Sequence, residues 1–196
     1  MRLMTLGIVA MLASLGLVAP TSAEPSRYAT DAEIQELVAA MRQRIPQLQA
    51  TGYYLDRRTL EEQQERAAFT AAWGEVDPEI APFLGDWTAI EEALMIYPAA
   101  QPGEVCIIDI YLDDAAFYRG EVIDGKVYAN NNLVLVLDSG FLASIFVGNN
   151  QPNLYEYGNP RPLEDPVTTD YFAEYYPEIP PQFAQAGCLA GLPDVP

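Results

Sequence analysis

The sequence predicts an α+β fold. N-terminal helices pack on a C-terminal antiparallel β-meander of about 5–6 strands, open or curled into a half-barrel. An extended, proline-rich tail follows, pinned by one disulfide. Three observations carry this. Apolar residues recur at helical spacing before residue 90; short runs of Ile, Val, Tyr and Phe broken by turn residues follow; and Cys106 and Cys188 are the only cysteines.

The chain opens with a candidate leader. Met1-Arg2 supplies a positive charge, residues 3–18 are uncharged and mostly apolar, and Ala19-Pro20-Thr21-Ser22-Ala23 follows. That order matches a secretory signal peptide cut after Ala23. Residues 1–23 are the expected signal peptide, and 24–196 a single α+β domain. Within it, 24–90 are mainly helical, 91–157 form the sheet and 158–196 the extended tail. The apolar run is about 16 residues, short of the roughly 20 that span hydrocarbon. The processed chain is therefore expected not to span a membrane, and to be secreted or periplasmic, with a leader that suits a bacterium.

The first helix is expected over residues 30–45. Thr30 and Glu33 have the spacing of a capping box. Ile34, Leu37, Val38, Met41 and Ile45 then share one face, and Pro46 should stop or kink the helix. Thr59 and Glu62 repeat the capping signal for a second helix over 60–73, ended by Gly74. Asp77-Pro78 reads as the cap of a short helical piece to Leu84.

Strand-like runs occupy 94–97, 105–112, 117–123, 126–129, 133–137 and 141–147. Asp124-Gly125 tolerates positive φ at both centres of a type I′ turn and should close a two-residue hairpin. Connections this short allow only antiparallel pairing. The runs 105–112 and 133–137 are apolar on both faces, so the sheet should be covered on both sides or curled into a half-barrel.

The tail is rich in proline and aromatic residues, with room for one short helix over 169–176. Export to an oxidising compartment makes a Cys106–Cys188 bridge the expected state of the two cysteines.

Composition removes much chemistry. There are 28 acidic and 10 basic residues, a net charge of −18, one lysine (Lys126) and no histidine. Without histidine there is no Ser-His-Asp triad and no imidazole ligand for zinc or haem. A strongly acidic chain repels a polyanion, so no nucleic-acid partner is expected. No catalytic residue, metal ligand or cofactor is assigned, and ligand and oligomeric state are left unassigned.

Two short motifs have family echoes. Leu133-Val134-Leu135-Val136-Leu137-Asp138-Ser139-Gly140 resembles the hydrophobic-Asp-Ser/Thr-Gly signature of aspartic proteases, in which two such aspartates share a proton. Here Phe141 replaces the small residue that follows the glycine, and no second copy exists. Asp, Ser and Gly are equally what a β-turn takes. Gly85-Asp86-Trp87 resembles the Gly-x-Trp that opens lipocalin-type barrels; the alternative is that Trp87 is a core aromatic where helix meets sheet.

The remaining acid/base groups are carboxylates: Glu91, Glu92, Asp109, Asp113, Asp114 and Glu121 lie in or beside the sheet, and their spacing singles out no pair. Tyr111, Tyr118, Tyr128, Tyr155 and Tyr157 suit sugar stacking or half-buried strands. The leading expectation is an exported, non-enzymatic binding or accessory domain. The alternatives are a carboxylate-only hydrolase acting on extracellular or cell-wall glycans, and a lipocalin-like carrier of a small apolar ligand.

Overall fold

Thr30 and Glu33 form the anticipated capping box: the Glu33 amide donates to Thr30 Oγ1 at 3.3 Å, and the Thr30 amide donates to Glu33 Oε2 at 2.8 Å. The helix they start, α1 (Asp31–Ala50), buries Ile34, Val38, Met41 and Ile45. These positions belong to a computed structural model that describes residues 27–52 and 54–193. The expected leader, residues 1–23, lies outside the described residues.

Contrary to expectation, α1 runs through Pro46 for another turn. Pro46 sits on the exposed face, so the Arg42 carbonyl it leaves unbonded faces water rather than the core. The second helix, α2 (Leu60–Val76), likewise passes Gly74 and ends at Asp77. Asp77 is buried. Its carboxylate accepts from the amides of Ile80 at 3.5 Å and Gly103 at 2.7 Å, tying a 3₁₀ turn (Ala81–Phe83) to a distant loop.

The described residues then form eight antiparallel strands in an up-and-down meander: β1 (Gly85–Thr88), β2 (Glu92–Pro98), β3 (Glu104–Tyr111), β4 (Asp114–Ile123), β5 (Lys126–Ala129), β6 (Val134–Asp138), β7 (Phe141–Gly148) and β8 (Gln151–Arg161). β1 pairs with both β2 and β8, so the sheet closes into a barrel. The expected 5–6 strands and half-barrel are thereby corrected to eight strands and full closure. The reading missed β1 because it is four residues long and starts on Gly-Asp. It missed β8 because Pro152 and Pro160 interrupt its pattern. Both prolines sit where the ladder tolerates them. Pro152 lies where β8 pairs with β7 alone, and Pro160 lies where the β1–β8 register shifts.

Two-residue turns drive the meander. Ile123 pairs with Lys126 across Asp124 (φ 50°) and Gly125 (φ 72°), the expected hairpin. Asp138 pairs with Phe141 across Ser139 and Gly140, also at positive φ. The protease-like Asp-Ser-Gly is therefore a hairpin turn, and Asp138 is bound by Arg42 of α1.

The sheet is covered as its two-faced strands require. Inside the barrel, Trp87, Leu94, Ile96, Val105, Ile107 and Leu135 pack with Trp73, Ile80, Phe83 and Leu84, which plug one end. Outside, the α1 face lies on Val134, Phe141, Ala143 and Ile145. On the opposite outer wall, Ile108 and Ile110 are covered by Phe172, Tyr176, Ile179 and Phe183 of the tail. The tail carries two helices, α3 (Asp170–Tyr175) and α4 (Ile179–Gln185), where one was expected. The Cys106–Cys188 disulfide is present, with Cα atoms 6.0 Å apart. Cys188 also bridges to Ala99, and the Leu189 amide donates to the Pro98 carbonyl at 2.9 Å. Among the described residues no helix is long and apolar enough to cross a membrane.

Candidate functional site

The barrel is filled at one end and hollow at the other. Along β2, β3 and β7 the inward positions change character together: Ile96 and Leu94 give way to Glu92, Val105 and Ile107 to Asp109, and Leu142 to Ser144. The plugged half is thus apolar, and the half nearer the β1–β2, β3–β4 and β7–β8 turns is polar. A cavity of about 500 Å³ occupies that polar half.

Its walls combine acids and rings. Glu92, Asp109 and Ser144 face into it, with Tyr118, Phe146, Tyr155 and Tyr157 around them. Asn130, Asn131 and Asn132, on the β5–β6 loop, form the rim. The rings of Tyr155 and Tyr157 lie 6.2 Å apart. Among the described residues no lysine or arginine lines the cavity.

The hydrogen bonding inside is incomplete. Tyr157 donates its hydroxyl to Glu92 Oε2 at 2.5 Å. Burial, then this bond, pushes the Tyr157 phenol far above its ordinary range, so it stays a donor at any physiological pH. Ser144 is 5% exposed and its hydroxyl has no hydrogen-bond partner among the described residues. Neither does the Asp109 carboxyl. Burial, then the neighbouring Glu92, raises the Asp109 acid from 3.8 to about 6.

Of the six carboxylates named from sequence, the fold brings Glu92 and Asp109 together and leaves Glu91, Asp113, Asp114 and Glu121 exposed. Tyr118, Tyr155 and Tyr157 reach the cavity. Tyr128 instead meets Tyr28 edge-on outside the barrel. Sequence reasoning missed Ser144 altogether. Its available signal was period two, since Leu142, Ser144 and Phe146 share one face of β7.

A second cavity, about 660 Å³, lies outside the wall between α2, α3 and the end of β8. Asp86, pointing away from Trp87, lines it with Glu62, Glu65, Arg161 and Glu164. Asp86 Oδ1 is buried without a partner, and burial raises its acid to about 6 despite the nearby Arg161. Trp87 itself faces the plugged end, where its indole N–H donates to the Phe83 carbonyl at 2.6 Å and the Arg66 guanidinium stacks over its ring at 5.6 Å. Among the described residues no group of three or more Asp, Glu or Cys side chains is placed to hold a metal ion.

Compared with family models, curated proteins and solved structures, the chain matches none.

Proposed function

We propose that this chain is a non-enzymatic binding domain that receives a small ligand in the open end of its barrel. One observation carries the reading: a 500 Å³ cavity is faced by the Ser144 hydroxyl and the Asp109 carboxyl, which have no hydrogen-bond partner among the described residues. Polar groups that converge on a cavity without a protein partner are free to bond a ligand there. A purely apolar ligand fits this half of the barrel poorly, because it would seal those groups away unpaired.

A glycan hydrolase is the second reading, favoured by the proximity of Glu92 to an Asp109 that holds its proton to about pH 6. Against it, the two acids stand on neighbouring strands of one wall. Glycoside hydrolysis uses carboxylates on opposite sides of the scissile bond.

Export completes the proposal: the leader is removed after Ala23 and the domain works in an oxidising compartment, with which its disulfide is compatible. The partner is not a nucleic acid, given a charge of −18.

Ligand-observed NMR with a small-molecule library tests the reading on wild type and Ser144→Phe, which fills the cavity. Compounds that bind wild type and are lost with Ser144→Phe support it. Hits indifferent to that change place binding elsewhere. Release of reducing ends from a glycan, abolished by Asp109→Asn, would favour the hydrolase instead.

A further inference from the structure

The barrel mouth is lined by two carboxylates and, among the described residues, by no lysine or arginine. We infer that its ligand is a small organic cation: an ammonium group on an aromatic or apolar body. This rests on the binding reading above and goes further by naming the ligand class.

The charged side chains of the lining are both acids. Asp109 offers two carboxylate oxygens, Glu92 offers the oxygen that Tyr157 does not occupy, and Ser144 Oγ offers its lone pairs. An ammonium carries three donors and no acceptor, so it complements this set. An alcohol has one donor to give the same carboxylates, and no charge. A carboxylate ligand meets two like charges and, among the described residues, no arginine or lysine in the lining. That arrangement works against anions.

The rings suit the rest of the molecule. Tyr118, Phe146 and Tyr155 line the cavity beside the acids. Aromatic faces attract a cation and cover an apolar body at once. A divalent metal is a poorer match, because the described residues assemble no group of three ligating side chains. The overall charge of −18 also draws cations toward the protein.

Matched indoles separate the possibilities: tryptamine (a cation), tryptophol (neutral) and indole-3-acetate (an anion), each titrated calorimetrically into the oxidised protein at pH 7.5 and moderate salt. Tryptamine should bind about tenfold or more tighter than tryptophol, and indole-3-acetate should give no saturable heat, as expected of charge-assisted bonds against neutral ones. Asp109→Asn and Glu92→Gln should each weaken tryptamine about tenfold while leaving tryptophol unchanged. Far-UV dichroism confirms that each variant is folded, and the ordering of the three ligands on wild type requires no variant at all. Tryptophol or indole-3-acetate binding as tightly as tryptamine, and lost with Ser144→Phe, would overturn the cation inference and leave the binding reading standing. Tryptamine heat that survives Ser144→Phe, or no heat from any of the three, overturns the inference as well; the library screen then decides the broader reading by itself.

Discussion

Tyr157 and Glu92 close the barrel wall where β1 stops. Thr88, the last residue of β1, pairs with Gly158 on one side and Ala93 on the other. Tyr157 and Glu92 are the next residues along those two flanking strands, and the Tyr157 hydroxyl reaches Glu92 Oε2. A short first strand thus leaves a gap that one side-chain hydrogen bond spans. Tyr157→Phe should destabilise the fold by about 1–2 kcal/mol, the lower range for a bond to a charged group because the cavity opens nearby. Glu92→Gln keeps an acceptor for Tyr157 and should cost less. Urea titrations of the three proteins decide this, and a Tyr157→Phe no weaker than Glu92→Gln counts against the strut.

Inside the plugged half, Gly120 allows β4 to approach its neighbours. A Cβ there would lie 2.6 Å from Val127 Cγ1 and 3.2 Å from Val105 Cγ2. Both valines are fully buried in strands flanking β4, so neither can swing aside. Gly120→Ala should therefore destabilise by about 1–3 kcal/mol, the usual range for overpacking. Adding Val127→Ala should recover part of that loss. A Gly120→Ala protein as stable as wild type would show that this wall is looser than it looks.

The bridge between Cys106 and Cys188 joins β3 to the tail over 82 positions. Chain-entropy arguments give a loop of that size about 4–5 kcal/mol, often less in practice. The tail has further anchors: Phe172, Ile179 and Phe183 are buried against the outer wall, and Leu189 bonds to Pro98. Cys188→Ser should lower the melting temperature by roughly 10 °C. The α3–α4 region should stay docked, and exchange protection should fall first at the Ala99–Cys188 bridge. Release of the whole tail on reduction would show that the disulfide alone holds it.

The sequence made local devices visible and hid the closure. Both capping boxes, the Asp124-Gly125 hairpin and the disulfide depend on residues close in sequence or unique in the chain, so they were legible. Closure depends on β1 and β8, whose Gly-Asp start and internal prolines look like turns. The cavity was hidden for a different reason. Val105 to Ile110 is buried on both faces because α3 and α4 cover the outside, so alternation does not mark which face is inner. Asp109 is the one charged residue in that run, and its phase matches Val105 and Ile107. That was the clue to the mouth, but it became readable once Glu92 and Ser144 stood beside it in space.

The last expectation concerns acid. Asp86 and Asp109 both titrate near 6 in the folded protein against 3.8 for an ordinary aspartate. Burial is the main cause for each. Arg161 partly offsets it at Asp86 while Glu164 adds to it, and Glu92 adds to it at Asp109. A raised acid holds its proton in the folded state at pH values where the unfolded chain has lost it. Its contribution is therefore full below about pH 4 and disappears as pH rises through about 6. The displacement corresponds to roughly 3 kcal/mol for Asp86, and less for Asp109, whose carboxyl faces an open cavity. Other carboxylates act in the opposite sense. Bonds from Arg27 and Arg58 hold Glu33 and Asp56 at about 2, so what those two groups add is lost only as pH falls below about 4. Stability should then peak near pH 4–5 and fall toward pH 7.5. Asp86→Asn and Asp109→Asn should each flatten that decline, and each should stabilise the protein at pH 7.5 relative to wild type. Thermal melts of the three proteins at pH 4.5, 6.0 and 7.5 provide the check. A wild-type melting temperature that rises across that interval, or a slope unchanged in both variants, would mean that neither aspartate is strained by burial.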